Sequence, residues 1–241
     1  GFSSSPVRRS FLSITPTESL MIEIKKGTEP KELLEYRKKE FASYADMKGD
    51  VKEKVMKSLL SEQGHLCAYC MSRIDEGDGK HRATIEHCIQ QAVTDEKERL
   101  NYKNMVAVCW GNRNAHSNED KSCDAKRGSL KVDKQDMKKI NVFDGRTLTD
   151  IKYASDGTIY SDDEDVNEDL NLRLNLNCEA RRLKECRRQA LSALHRNIAG
   201  KYPNKTAPKS YYQKLMDHYT EQREMKEPYS GILIYWLEKH I

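Results

Sequence analysis

The sequence predicts an α+β protein in which a small, cysteine-rich module sits within a predominantly helical chain. Three observations predict this. Amphipathic stretches with helical spacing fill the chain before residue 64 and after residue 168. Cys, His and Gly concentrate between residues 65 and 130, where apolar runs shorten. The turn signals "FDGR" and "SDGT" separate short β-branched and aromatic runs between 140 and 161, which reads as a hairpin.

Taken in order, residues 1–20 are Ser/Thr-rich with two arginines and no acid before Glu18, and read as a disordered leader or an added extension ahead of Met21. Residues 21–64 form an N-terminal helical segment. "EPKELLEYRKKEFASYADM" places Leu33, Leu34, Tyr36, Phe41 and Tyr44 near helical spacing, with Pro30 in a first turn. "DVKEKVMKSLLSEQG" continues the helical pattern to a stop at Gly64. Residues 65–130 are the site-bearing module, and "ATIEHCIQQ" within it reads as a short strand. Residues 131–241 combine the hairpin with a C-terminal helical region. There "SDDEDVNED" reads as an exposed acidic loop, and "LNLRLNLNCEARRLKECRRQALSALHRNIAG" pairs a leucine stripe with a basic face. That face suits nucleic acid, an acidic partner surface, or plain solvation. "YSGILIYWLEKHI" is the most apolar run and is expected to dock on the core.

Bulk numbers narrow the class. The 241 residues allow one large domain or two small ones. At 37% hydrophobic and 33% charged, the chain has a modest core and a highly charged surface. No apolar run approaches the roughly 18 residues that span a bilayer, so no membrane association is expected. A net charge of +4 only weakly favours a nucleic-acid partner. Without an apolar signal-peptide core, the seven cysteines read as metal ligands or buried residues of a cytoplasmic protein rather than as disulfides.

The cysteine spacing carries the first chemistry. Cys67 and Cys70 lie on a CxxC turn, a spacing that lets both sulfurs reach one tetrahedral zinc. A redox role lacks its βαβ context, and two merely buried cysteines remain an alternative. Cys109 and Cys123 supply the second half of a four-cysteine structural Zn²⁺ site, with His116 as runner-up ligand. Residues 110–122 read as an inserted loop, and Cys88, Cys178 and Cys186 as spectators.

Between the two halves lie Glu86 and His87, then Asn104; Asp124 follows Cys123. This order, ending in "CDAKRG", resembles the zinc-stapled branch of the HNH endonucleases over residues 65–130. The resemblance implies a ββα-metal fold, a hairpin and a helix gripping one divalent cation. It implies His87 as general base, Glu86 and Asp124 as ligands of Mg²⁺ or Mn²⁺, and Asn104 as the residue that holds the hairpin loop. A neutral imidazole can take a proton from water near pH 7, and carboxylates suit a hard cation. Lys126 and Arg127 are expected at substrate phosphates. The sequence departs from the family pattern at Glu86, usually Asp, at Asp124, usually His or Asn, and at Gln90, usually Pro. The insertion between Cys109 and Cys123 is also long.

"MIEIKKGTEPKELLEYRK", "CAYCMSRI" with "IEHC", and "DGTIYSDDEDVNEDLNLRLNLN" extend a narrower resemblance over most of residues 21–241. They resemble the PtuB-type HNH nucleases of bacterial Septu and retron-Septu anti-phage systems. That implies a PtuA-like ATPase partner of the ABC/SMC type, a DNA or RNA substrate, and in retron systems a reverse transcriptase with its multicopy DNA. The rival reading is a non-catalytic zinc module that tethers such an ATPase to nucleic acid.

Overall fold

The computed structural model describes residues 21–77, 79, 81–91 and 94–241, so the expectation for residues 1–20 lies outside it. The fold is mixed, with helices throughout and two small two-stranded sheets. The N-terminal segment forms α1 (Lys31–Tyr36) and α2 (Asp50–Gln63), with turns rather than helix between them. The helical pattern expected through "EPKELLEYRKKEFASYADM" is therefore broken. The cause is local: Phe41 and Gly49 both take left-handed backbone, at φ 64° and 56°, which no right-handed helix accommodates. α2 buries Val55, Leu59 and Leu60 and ends at Gly64 in left-handed geometry. A Cβ at Gly64 would lie 2.5 Å from the Lys226 side chain, so glycine serves both the cap and the packing.

β1 (Ala83–His87) pairs antiparallel with β2 (Met105–Cys109), in a register that sets Glu86 opposite Val106 and His87 opposite Met105. The strands are joined through α3 (Glu96–Arg99). β2 is buried along its whole length, so its free edge needs partners. Gln63 supplies them at Ala107. Its Nε2 donates to the Ala107 carbonyl and its Oε1 accepts from the Ala107 N–H, both at 2.7 Å. A short helix, α4 (Cys123–Arg127), follows the hairpin and packs on β2.

Beyond it, the expected hairpin shrinks to β3 (Lys152–Tyr153) and β4 (Ile159–Tyr160), while 140–151 is turn structure. Its turn closes on Gly157 (φ 89°), where a Cβ would meet the Lys184 carbonyl oxygen at 2.0 Å. "SDDEDVNED" is not a loop throughout. Asp163 caps α5 (Glu164–Glu168), which buries Val166. A π-helical turn over Asp169–Arg173 follows, and its fully buried Asp169 accepts from the N–H groups of Lys138, Lys139 and Ile140. After its π-helical start, the leucine-rich basic run becomes α-helix only at α6 (Leu183–Lys201); α7 (Lys209–Thr220) and α8 (Ser230–Glu238) complete the chain. α8 docks as expected, burying Ile232, Leu233, Ile234 and Leu237. The basic face of α6 is not purely solvated. Arg187 is buried and donates to the Gly157 and Leu176 carbonyls. One buried core runs through residues 21–64, 65–130 and 131–241 alike. Among the described residues, no helix is long and apolar enough to cross a membrane.

Candidate metal centre and acid–imidazole site

Three chain segments deliver four sulfurs to one point. Cys67 and Cys70 sit on a turn closed by the Met71 N–H on the Cys67 carbonyl, at 3.0 Å. Cys109 ends β2 and Cys123 opens α4. The latter pair meets because the 110–122 loop is pinched at its neck. Ser122 N–H donates to the Gly111 carbonyl at 2.9 Å, and Gly111 has φ 64°. A Cβ there would lie 2.3 Å from the Ser122 carbonyl oxygen, so only glycine fits. All four sulfurs lie within 4.8 Å of one another and are buried. Cys67–Cys123 and Cys70–Cys109 are 3.9 and 3.8 Å apart.

A tetrahedron with Zn–S bonds of about 2.3 Å has S···S edges of about 3.8 Å. The four cysteines therefore fit a closed, structural metal site such as zinc. Burial pushes the Cys67 thiol up, the adjacent Cys109 sulfur pushes Cys123 up, and hydrogen bonds led by Cys109 pull Cys70 down. Four thiolates this close need a cation between them. Arg181, which precedes α6, adds a partial counter-charge. Its guanidinium lies 3.7 Å from the Cys109 sulfur, and the nearby thiolate positions hold it firmly protonated. His116 is exposed and lies outside the cluster, and Cys88, Cys178 and Cys186 lie outside it too. The runner-up ligand is thus excluded by position.

The second centre lies at the end of β1. The Glu86 and Asp124 carboxylates are neighbours. Burial, and then Asp124, push the Glu86 acid well above the usual carboxylate range. Each acid carries its own arginine. Arg127 Nη1 is 2.5 Å from Glu86 Oε1, and Arg113 is paired with Asp124. Two adjacent oxygen donors on separate elements, one buried and one half-buried, suit a hard divalent cation. In this arrangement two guanidiniums already balance their charge.

His87, at the last position of β1, is buried. Its Nε2 is 2.7 Å from the Arg99 carbonyl oxygen. A carbonyl only accepts, so Nε2 carries the hydrogen and Nδ1 keeps its lone pair. Nδ1 is buried and has no hydrogen-bond partner among the described residues. Burial lowers the imidazole pKa, favouring the neutral base. Tyr44 packs edge-on against the ring at 4.5 Å, anchored by its N–H on Glu96 Oε2 at 2.9 Å. Its phenol is pushed up to about 12 by burial, and then by Glu86 and Asp124. Asn104 clamps the turn beyond His87. Its Oδ1 accepts from Ile89 N–H at 2.7 Å and its Nδ2 donates to the Ile89 carbonyl at 3.1 Å. Gln90 is buried and donates to the Val132 carbonyl and Asp136 Oδ1.

Two expected substrate contacts are corrected. Lys126 and Arg127 are 5% and 2% exposed, so neither is presented to a phosphate. Lys126 is spent on Glu119. Arg127 binds Glu86 and the carbonyls of His87, Cys88 and Gln135, which fixes the strand end instead. Three residues escape a sequence reading: Tyr44, Arg113 and Arg181. The break-forming composition of "ASYADMKGD" is the one signal that would have freed Tyr44 from a helix. Comparison with models of known protein families gives no match, and comparison with curated proteins gives none either.

Proposed function

We propose that this chain is a metal-dependent HNH-type endonuclease with a zinc-stapled ββα-metal core. On the narrower resemblance, it is the effector of a bacterial anti-phage system of the Septu or retron-Septu kind, working with an ABC/SMC-like ATPase. The observation that carries the reading is the unpartnered Nδ1 of a neutral, buried His87 beside the Glu86–Asp124 acid pair. Glu86 and Asp124 would hold Mg²⁺ or Mn²⁺, which supplies charge relief at the phosphate and the leaving oxygen. His87 Nδ1 takes the proton of the attacking water as its oxygen bonds to phosphorus and the leaving sugar oxygen departs. The Arg99 carbonyl fixes the tautomer that makes this possible. Asn104 and Arg127 are positioning residues, since they hold the backbone on which Glu86 and His87 sit. Nothing in this site reads a base, so DNA and RNA are both admissible substrates.

The test is cleavage of plasmid DNA, single-stranded DNA and RNA by the purified chain with its ATPase partner, in Mn²⁺ and Mg²⁺. His87→Ala is expected to lose at least about a hundredfold in rate while keeping its zinc and partner. Full cleavage by that variant would overturn the catalytic reading and leave the tethering module in its place.

A further inference from the structure

The inserted loop 110–122 has no role in the reading above, yet it is built with care. Its neck is closed at Gly111–Ser122. Asn112 Nδ2 donates to the Asp120 carbonyl at 3.0 Å, and Asn175 Nδ2 donates to the carbonyls of Glu119 and Lys121, both at 2.8 Å. The loop presents Arg113 to Asp124, with the guanidinium 5.3 Å from the centre of the Trp110 ring.

The two arginines of the acid pair differ in freedom. Arg127 is 3% exposed at its side chain and binds three carbonyls besides Glu86. Arg113 is 41% exposed, and its guanidinium has Asp124 as its one hydrogen-bond partner among the described residues. Two carboxylates and two guanidiniums sum to zero charge. A divalent cation brought between the ionised acids would leave two uncompensated positive charges, or one once a guanidinium withdraws. Arg113 alone can do so without breaking the strand end. A guanidinium released there stays within side-chain reach of the cation, where a phosphate would sit, and its fork matches phosphate oxygens.

We propose that Arg113 is a latch on the cation site, neutralising Asp124 until a divalent cation arrives and then taking the substrate phosphate. This deepens the nuclease reading and rests on it. The inserted loop thereby supplies the phosphate contact that the buried Lys126 and Arg127 do not.

The experiment measures Mn²⁺ affinity on the full chain, from free Mn²⁺ by electron paramagnetic resonance and from Trp110 fluorescence. Arg113→Gln is expected to bind Mn²⁺ roughly threefold to tenfold more tightly, because the cation no longer displaces an ion pair. Arg113→Lys keeps the charge and is expected near wild type. In a His87→Ala background, which prevents cleavage, Arg113→Gln is expected to bind a short oligonucleotide several-fold more weakly at saturating Mn²⁺. Unchanged Mn²⁺ affinity in Arg113→Gln overturns the latch, and unchanged oligonucleotide affinity overturns the handover to phosphate. Mn²⁺ affinity in the wild type that survives Asp124→Ala overturns the cation assignment of the acid pair itself, and the latch with it. Zinc content is measured in every variant, so a folding defect is read separately.

Discussion

The two nitrogens of His87 do different work. Nε2 is tied to the Arg99 carbonyl and sets the tautomer, while Nδ1 is left with a lone pair and no partner among the described residues. Burial lowers the pKa from the usual 6.5, so the folded chain binds fewer protons than the unfolded chain around that pH. The linkage sign follows. This group's contribution to stability is present above the unfolded pKa and is lost as pH falls through the folded one. The base form persists over the same range. The acid limb of kcat/KM is therefore expected to have its midpoint below pH 6.5, measured against a His87→Ala baseline; a midpoint above 6.5 contradicts a buried neutral base. Glu86, His87 and Asp124 stood out in the sequence by their order around the four cysteines and not by residue type, since acids and a histidine also occur at Asp75, Glu76, His81 and Glu98. Tyr44, Arg113 and Arg181 were not. Tyr44 acts on His87 and Arg181 on Cys109, partners distant in sequence, and Arg113 meets Asp124 only through the pinched loop; spacing encodes none of these. Lys126 and Arg127 misled for the related reason that a basic pair after an acid reads as surface. Here the carbonyls at the end of β1 needed a buried donor, and Arg127 fills that need.

At the scale of elements, the short α4 is too small to hold itself in place, since five residues make barely one turn. Its position is fixed from outside, by Cys123 in the sulfur cluster and by the Cys123 N–H on the Leu174 carbonyl at 2.7 Å. Asp124 rides on that turn, so the neck at Gly111 sets the geometry of both centres at once. Gly111→Ala adds a Cβ in a left-handed backbone, against a carbonyl oxygen 2.3 Å away. The expected cost is at least about 2 kcal/mol, or roughly 5 °C in Tm by calorimetry, with substoichiometric zinc in the purified variant. Normal Tm and zinc content would show that the neck does not govern the cluster. The hairpin and the CxxC turn were visible in composition and spacing. The break between α1 and α2 was not, because apolar residues at 41 and 44 continue a helical period while the backbone turns to carry Tyr44 to the site.

At the scale of the molecule, the cysteine-rich module is not a free-standing unit. The C-terminal region grips it at several points. Tyr229 N–H donates to the Met71 carbonyl at 2.9 Å, and at the module's N-terminal border Lys226 N–H donates to the Gly64 carbonyl at 3.0 Å. Arg73 reaches the Lys226 carbonyl, and Arg181 faces the Cys109 sulfur. From the other side, Gln63 of α2 satisfies the edge of β2. Residues 65–130 alone would uncover the side of β2 that α2 and Gln63 cover, and lose the Arg181 counter-charge of the sulfurs. A metal site then has to stabilise a module too small to bury much apolar surface. The isolated fragment 65–130 is therefore expected to release zinc to excess chelator at least about tenfold faster than the full chain, since its folded, metal-holding state is less populated. Release is followed with a chromogenic chelator. Arg181→Met in the full chain is expected to fall between the two, because it removes the counter-charge and keeps the packing. A fragment as retentive as the full chain would mean that the zinc alone holds the core, and that α6, α7 and α8 serve something other than its support.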